Sequence, residues 1–297
     1  MIESKFTHEK ELFSPGHSAC AGCGVTISFR NILRALGKDI IIVNATGCSE
    51  IFSTCYPKSA WRVPYIHSLF ENVPAVASGV VRALRAKGNE HTQVVCIAGD
   101  GATYDIGFGA LSGMLERNED VLYICYDNEA YMNTGVQRSS STPFGASTTT
   151  SPAGKKIHGK QQTKKPIVEI AAAHGIPYAA SASIANLPDL ANKLKKAVSI
   201  RGARFLSVHT PCVPGWGYSS EKTVALSKLA VETGAWVLFE IENGKFKLNA
   251  NPAKRKPLAE YLTFQKRFKH LSQEEIAQMQ KQLDAKWETL AKWEKCD

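Results

Sequence analysis

Short apolar runs without polar alternation punctuate the chain, separated by longer segments whose apolar residues recur every three or four positions. Ile40-Ile41-Ile42-Val43, Val94-Val95-Cys96-Ile97 and Tyr123-Ile124-Cys125-Tyr126 are of the first kind, which marks strands buried on both faces of a parallel sheet. The pattern predicts strands over 39–44, 93–98, 121–126, 205–209 and 236–240. Residues 26–36 read as a helix with Ile27, Ile32, Leu33 and Leu36 inward, stopped by Gly37. Residues 71–87 read as a helix whose Ala75, Ala77, Ser78, Gly79 and Ala83 permit close packing. Further helices are expected over 106–117, 167–174, 187–198 and 220–233. This alternation predicts an α/β protein built on a doubly wound, mostly parallel sheet, whose ligands gather at the carboxyl ends of the strands.

Two stretches break the rhythm. Residues 131–165 are rich in Ser, Thr, Gly and Lys and show little periodicity; a loop this long is functional or disordered. Beyond Asn251 the chain is charged and helical, over 271–292. The expected division is therefore a ligand-binding domain over 1–250 and a helical C-terminal extension over 251–297. No internal repeat is visible.

Composition narrows the class. The 297 residues are 44% hydrophobic and 21% charged, enough to bury a large core. No apolar run approaches the ~20 residues that span a bilayer, and Met1-Ile2-Glu3-Ser4-Lys5 opens no apolar signal segment. A cytosolic protein without membrane contact is expected. The net charge of +9 gathers at Lys155, Lys156, Lys160, Lys164 and Lys165, and in the tail at Lys254, Arg255, Lys256, Lys266, Arg267 and Lys269. A solvated face and a docking field for an acidic partner are both compatible with it; no motif supports nucleic-acid binding.

The chemistry lies in two sets of residues. The eight cysteines argue against a disulfide framework in a long cytosolic chain. Cys96 and Cys125 fall in strand runs and read as core thiols; Cys55 reads as structural, and Cys296 as inert. Cys20 and Cys23 form a C-x2-C, with Cys48 and Cys212 as single, remote partners beside Gly or Pro. Thiolates in such turns bind zinc or an iron–sulfur cluster, and a zinc ribbon normally pairs two C-x2-C knuckles at short range. The second set is Gly99-Asp100-Gly101 at one strand end, with Asn128 at the next, 28 residues after the aspartate. Carboxylate and amide oxygens suit magnesium shared with a phosphorylated ligand, and the flanking glycines let backbone N–H groups approach a diphosphate. With strand–turn–helix on both sides, this spacing is a sign of thiamine diphosphate.

Several motifs in order, Gly16-His17-Ser18-Ala19-Cys20-Ala21-Gly22-Cys23-Gly24, Asn44-Ala45-Thr46-Gly47-Cys48, Gly99-Asp100-Gly101, and Tyr126-Asp127-Asn128-Glu129-Ala130-Tyr131-Met132-Asn133-Thr134-Gly135, resemble the beta subunits of pyruvate:ferredoxin oxidoreductase, within the 2-oxoacid:ferredoxin oxidoreductases. The resemblance continues through Ser139-Ser140-Ser141-Thr142-Pro143 and His209-Thr210-Pro211-Cys212 to about Asn243; the tail after Asn251 carries little of it. It implies a thiamine diphosphate-binding fold in which Cys20, Cys23, Cys48 and Cys212 hold one 4Fe-4S cluster, while Asp100, Asn128 and the Ala130 carbonyl bind magnesium. The diphosphate would lie against Gly99, Asp100, Gly101 and Ala102 and against Asn128, Glu129, Ala130, Tyr131, Met132 and Asn133, with Cys48 touching the cofactor too. Some relatives carry an acidic residue two positions after the second cysteine, where this chain has Val25.

The implied activity is oxidative decarboxylation of a 2-oxoacid to acyl-CoA and CO2, with coenzyme A as co-substrate and electrons passing through the cluster to ferredoxin or flavodoxin. Pyruvate is the first substrate reading; oxalate and branched-chain 2-oxoacids stay open. Asn133 is the candidate for contacting substrate. The chain contains no C-x2-C-x2-C-x3-C-P run, so alpha, gamma and ferredoxin-like delta subunits are expected to complete the enzyme. The alpha subunit would supply the carboxylate that activates the cofactor, since neither Glu50, Glu71 nor Glu129 can be given that role from spacing; Glu71 reads as a helix cap or a subunit contact. His17, His67 and His209 read as packing or hydrogen-bonding residues, and Arg138 as solvated or facing an anion. Two other classes compete: a non-redox thiamine enzyme, which needs no cysteines, and a structural zinc protein, which needs no diphosphate.

Overall fold

The computed structural model describes residues 11–252 and 254–296, apart from the side chain of Cys296. The readings of Met1–Lys5 and of the Cys296 thiol lie outside the described residues. Eight strands form one sheet: β1 (Ile40–Ala45), β2 (Tyr65–Ser68), β3 (Gln93–Gly99), β4 (Val121–Asp127), β5 (Tyr178–Ser183), β6 (Arg204–His209), β7 (Phe239–Glu242) and β8 (Lys245–Leu248). Their order is β2-β1-β3-β4-β6-β5-β7-β8. The first six run parallel, and β7 and β8 close the edge as an antiparallel hairpin. Ten α-helices accompany them among the described residues: α1 (Gly24–Leu36), α2 (Cys48–Ser53), α3 (Val73–Ala86), α4 (Phe108–Glu116), α5 (Ile167–Ala172), α6 (Leu187–Ser199), α7 (Val213–Trp216), α8 (Thr223–Glu232), α9 (Leu258–Thr263) and α10 (Gln273–Cys296).

Alternate residues of each central strand feed opposite cores, as the two-residue period of a strand requires. Val43, Val94, Cys96, Val121, Tyr123 and Cys125 face the side covered by α3, α4 and α5. Ile40, Ile42, Val95, Ile97, Leu122 and Ile124 face the side covered by α1 and α6. Both faces are sealed, which is why the sequence shows apolar runs and no alternation. Cys96 and Cys125 are fully buried core thiols, as expected. A third core gathers Trp216, Leu226, Trp236, Tyr261, Phe268 and Met279, joining the C-terminal segment to the turn beyond β6.

Three expected elements shift. The helix expected over 106–117 begins instead as a π-turn, Gly101–Ile106, with Gly107 N donating to Ala102 O at 2.9 Å before α4 starts at Phe108. The strand expected from Trp236 starts only at Phe239. Ser181 Oγ donates to Val237 O at 2.6 Å and accepts from Phe239 N at 3.0 Å, so a side chain takes the backbone groups a ladder would use. Residues 220–222 form a 3-10 turn ahead of α8. The 131–165 segment is neither helix nor strand, yet Ser139, Ser141, Thr142, Ala146 and Lys160 within it are buried. Among the described residues no helix is long and apolar enough to cross a membrane.

Candidate active site

Four neighbouring strands, β1, β3, β4 and β6, each deliver one signature segment at the same end of the sheet. Asp100 follows β3 and is buried, its Oδ2 accepting from Ser139 Oγ at 2.5 Å. Asn128 follows β4, and its inward amide atom lies 2.9 Å from Asp100 Oδ1 and 3.0 Å from the Ala130 carbonyl oxygen. Glu129 between them adopts φ 68°, the left-handed turn that folds this segment back on itself. With its nitrogen inward, Asn128 donates to both neighbours; with its oxygen inward, three oxygens converge and need a cation between them. Octahedral oxygen ligands ~2.1 Å from magnesium stand ~3 Å apart, close to these separations. The donor set fits a small hard cation.

Charge points the same way. Lys164 Nζ pairs with Asp127 Oδ2 at 2.9 Å and Glu129 Oε1 at 3.1 Å, and Arg267 Nη2 with Glu129 Oε2 at 2.6 Å. Burial would raise the Glu129 carboxyl, but these two cations outweigh it and hold it well below its usual range. Asp100 makes no ion pair with a lysine or arginine among the described residues. Burial and then the neighbouring Asp127 push its carboxyl well above the ordinary value. A cation at Asp100 reverses that penalty. Gly101 is required at the turn: a Cβ there would stand 2.3 Å from Cε1 of Tyr131.

The cysteines assemble from three elements. Cys20 and Cys23 precede α1, Cys48 opens α2 beyond β1, and Cys212 precedes α7 beyond β6. Gly24 lets the C-x2-C loop lie on the Cys212 turn, donating its N–H to Pro211 O at 3.3 Å where a Cβ would come within 2.8 Å of that oxygen. All four cysteines line one cavity of about 310 Å³ with Ile51, Phe52, Met132 and Asn133. Burial, reinforced by the other cysteines, pushes the Cys48 and Cys212 thiols up to about 12, so a positive centre is needed to hold them as thiolates. No three His, Cys, Asp or Glu side chains among the described residues sit closely enough for a single metal ion.

A second cleft is lined by Thr46, Gly47, Cys48, Phe70, Gly99, Asp100, Gly101, Tyr126, Asn128, Ala130, Tyr131, Met132, Asn133 and Thr134. Cys48, Asn128, Met132 and Asn133 border both it and the cysteine cavity. Ala102 is buried in the π-turn, and the Glu129 carboxylate points away into the ion-pair network. A larger cavity of about 540 Å³ includes Arg85, Asn89, Asp120 and Arg201 in its wall and none of the signature residues; its size is unrelated to the chemistry described here.

The histidines take packing and hydrogen-bonding places. His17 lies against Phe13 and Phe52, and His67 Nε2 meets Thr46 Oγ1 at 2.8 Å. His209 is wholly buried between Trp216 and Trp236, and burial lowers its pKa to about 3. Arg138 reaches Gln162 at 3.4 Å. Glu50 accepts from Thr54 Oγ1 at 3.1 Å, and Glu71 is exposed ahead of Asn72, which holds the N-cap position of α3. Cys55 is exposed, its thiol directed to Ile51 O at 3.2 Å. Sequence reasoning did not single out Asp127, Ser139, Ser141, Thr142 or Lys164 as site residues. It also gave Arg267 only to a charged tail.

This fold and site define the class of thiamine pyrophosphate enzymes, whose C-terminal TPP-binding domain matches residues 45–208. The chain belongs to the family of pyruvate:ferredoxin oxidoreductase beta subunits, the pyruvate synthase subunit PorB family. It is 55% identical to pyruvate synthase subunit PorB of Methanocaldococcus jannaschii, over 98% of this chain and 99% of that one. It is 54% identical to the PorB of Methanothermobacter thermautotrophicus, over 93% and 96%. Ketoisovalerate oxidoreductase subunit VorB of Pyrococcus abyssi is 48% identical over 95% and 93%. The solved 2-oxoglutarate:ferredoxin oxidoreductase from Magnetococcus marinus, with 2-oxoglutarate, coenzyme A and succinyl-CoA bound, shares the fold: TM-score 0.59, 22% identity, 73% of this chain and 72% of that one.

Proposed function

We propose that this chain is the thiamine diphosphate-binding subunit of a pyruvate:ferredoxin oxidoreductase, working with alpha, gamma and ferredoxin-like delta subunits. Asp100, Asn128 and the Ala130 carbonyl hold magnesium, and Cys20, Cys23, Cys48 and Cys212 hold a 4Fe-4S cluster. The diphosphate is cradled by the turns at 99–102 and 128–133. When bound, the cofactor is the electron sink for decarboxylating a 2-oxoacid, and the cluster takes up electrons singly on their way to ferredoxin or flavodoxin, coenzyme A receiving the acyl group. Asn133 orients the substrate at the mouth of the cleft, and the buried carboxylates behind it fix the metal-binding turn.

The observation that carries this reading is the common wall: Cys48, Asn128, Met132 and Asn133 border both the cofactor cleft and the cysteine cavity. A non-redox thiamine enzyme has no use for the second cavity, and a structural zinc protein none for the first. The test is anaerobic isolation with the co-purifying subunits, metal analysis, and electron paramagnetic resonance after adding pyruvate and coenzyme A. Four irons for each copy of this chain, beyond those of the ferredoxin-like subunit, and a substrate-dependent signal support the proposal; zinc without iron, and silence with every 2-oxoacid, refute it. The VorB relative supports branched-chain 2-oxoacids as a second reading, and relative turnover of pyruvate and ketoisovalerate by the complex decides between them.

A further inference from the structure

Four consecutive hydroxyl side chains, Ser139, Ser140, Ser141 and Thr142, each grip a different group around the proposed metal site. Ser139 Oγ donates to Asp100 Oδ2 at 2.5 Å. Ser140 holds Asp105 twice, through its hydroxyl and through its backbone N–H at 2.9 Å. Ser141 Oγ donates to Asp127 Oδ1 at 2.6 Å, and Thr142 Oγ1 to Glu129 O at 2.7 Å. Ser139, Ser141 and Thr142 are fully buried. The segment is itself pinned from behind, because the buried Lys160 ammonium donates to the carbonyls of Ser140 and Thr142.

The two arms of the site are thus tied to one short stretch of chain. Ser139 holds Oδ2, which turns Oδ1 of Asp100 toward the inward amide atom of Asn128. Thr142 and Ser141 hold the backbone and carboxylate of the β4 turn, which presents Asn128 and the Ala130 carbonyl. We infer that Ser139 is a positioning residue that presents Asp100 to the metal through one oxygen, and that the 139–142 hydroxyl run makes the site selective for a small, rigidly octahedral ion. Magnesium demands near-ideal octahedral geometry, whereas calcium accepts irregular and bidentate carboxylates. A carboxylate released from Ser139 can rotate and offer both oxygens, which costs magnesium more than calcium.

This inference rests on the magnesium role proposed above for Asp100. The assay is cofactor binding to the assembled complex, stripped of metal and thiamine diphosphate, followed by protein fluorescence as magnesium or calcium is titrated. For Ser139→Ala, the magnesium concentration at half-maximal binding is expected to rise ~10-fold, the usual weight of a hydrogen bond to a charged group, while that for calcium moves less than ~3-fold. A general loosening of the fold weakens both ions alike, so equal shifts, or an unmoved magnesium value, overturn the inference. Ser139→Cys keeps the size but offers a weak donor. Its magnesium-to-calcium ratio should fall between wild type and Ser139→Ala, and if Ser139→Ala does not assemble, an unchanged ratio in Ser139→Cys overturns the inference by itself. Asp100→Asn separates the two levels. If it leaves metal-dependent binding intact, the magnesium reading fails; if it abolishes binding while the Ser139 variants keep the wild-type ratio, only the positioning role fails.

Discussion

Replacing Arg267 with methionine tests whether the C-terminal segment is part of the site's foundation. Arg267 lies in the 3-10 turn Lys266–Phe268, about 140 residues from Glu129 in sequence, yet its guanidinium sits 2.6 Å from that carboxylate with both side chains buried. Its Nε also donates to Gln265 Oε1 at 2.8 Å, and the guanidinium stacks 3.9 Å above the Trp216 ring. Removing one partner of a buried ion pair costs ~3–5 kcal/mol, because the other charge is stranded. Lys164 still reaches the second Glu129 oxygen at 3.1 Å, which sets the ion-pair loss at the lower end, ~3 kcal/mol. The lost stack on a desolvated indole is worth ~2 kcal/mol, of which the methionine thioether against the same ring recovers ~1 kcal/mol. Urea unfolding of the chain, followed by tryptophan fluorescence, should therefore show Arg267→Met less stable by ~4 kcal/mol. Adding Glu129→Gln should recover ~2 kcal/mol, since the stranded charge is then gone. A loss below ~1 kcal/mol for the single variant, or strictly additive losses in the double, refutes the claim that this pair is buried and coupled.

Three further outcomes are expected. Gly24→Ala drives a Cβ into the Pro211 backbone, which cannot turn aside as a side chain can; overpacking of ~1–3 kcal/mol should separate the C-x2-C loop from Cys212 and lower iron per chain, and a full iron content argues against the shared site. Cys48→Ala should lose the four-iron signal, and its retention removes Cys48 from the ligand set. His209 has a folded pKa of about 3 against 6.5 unfolded, so the unfolded chain binds the extra proton between those values, and stability is full above pH 6.5 and lost as pH falls toward 3. Between pH 6.5 and 5 the loss from this group is ~2 kcal/mol; His209→Gln should flatten that slope, and an unchanged slope places the acid sensitivity elsewhere.

What could be read from the sequence was what local pattern encodes. The sheet was legible because β1, β3 and β4 are sealed on both faces and leave apolar runs, and the placement of Asp100, Asn128 and Cys48 at strand ends followed from it. Strand β5 was missed because Tyr178-Ala179-Ala180-Ser181-Ala182-Ser183 is small and weakly β-forming; it is a strand because β6 and β7 pair with it on either side. Strand β2 is a four-residue edge paired, among the described residues, with β1 alone, too short to leave a periodic signal. The loop at 131–165 gave no periodicity because its order comes from side-chain hydroxyls bonded to carboxylates distant in sequence, and no local rule writes such bonds into neighbouring residues.

The same reasoning explains why half of the site's electrostatics stayed hidden. A lysine or arginine in a charged stretch reads as solvated, and for Lys155 and Lys156 the side chains are indeed exposed. Lys164 belongs to the same run but turns inward, 4.4 Å from the Trp236 ring and between Asp127 and Glu129. Arg267 likewise belongs to a basic tail but reaches Glu129 from the opposite end of the chain. Their burial is decided by where acids already lie at the end of β4, a tertiary fact. Those two cations neutralise Asp127 and Glu129 and leave Asp100, hydrogen-bonded by Ser139, without a lysine or arginine ion pair among the described residues. The site's demand for an external cation is thus set by residues that the local sequence around Asp100 does not contain.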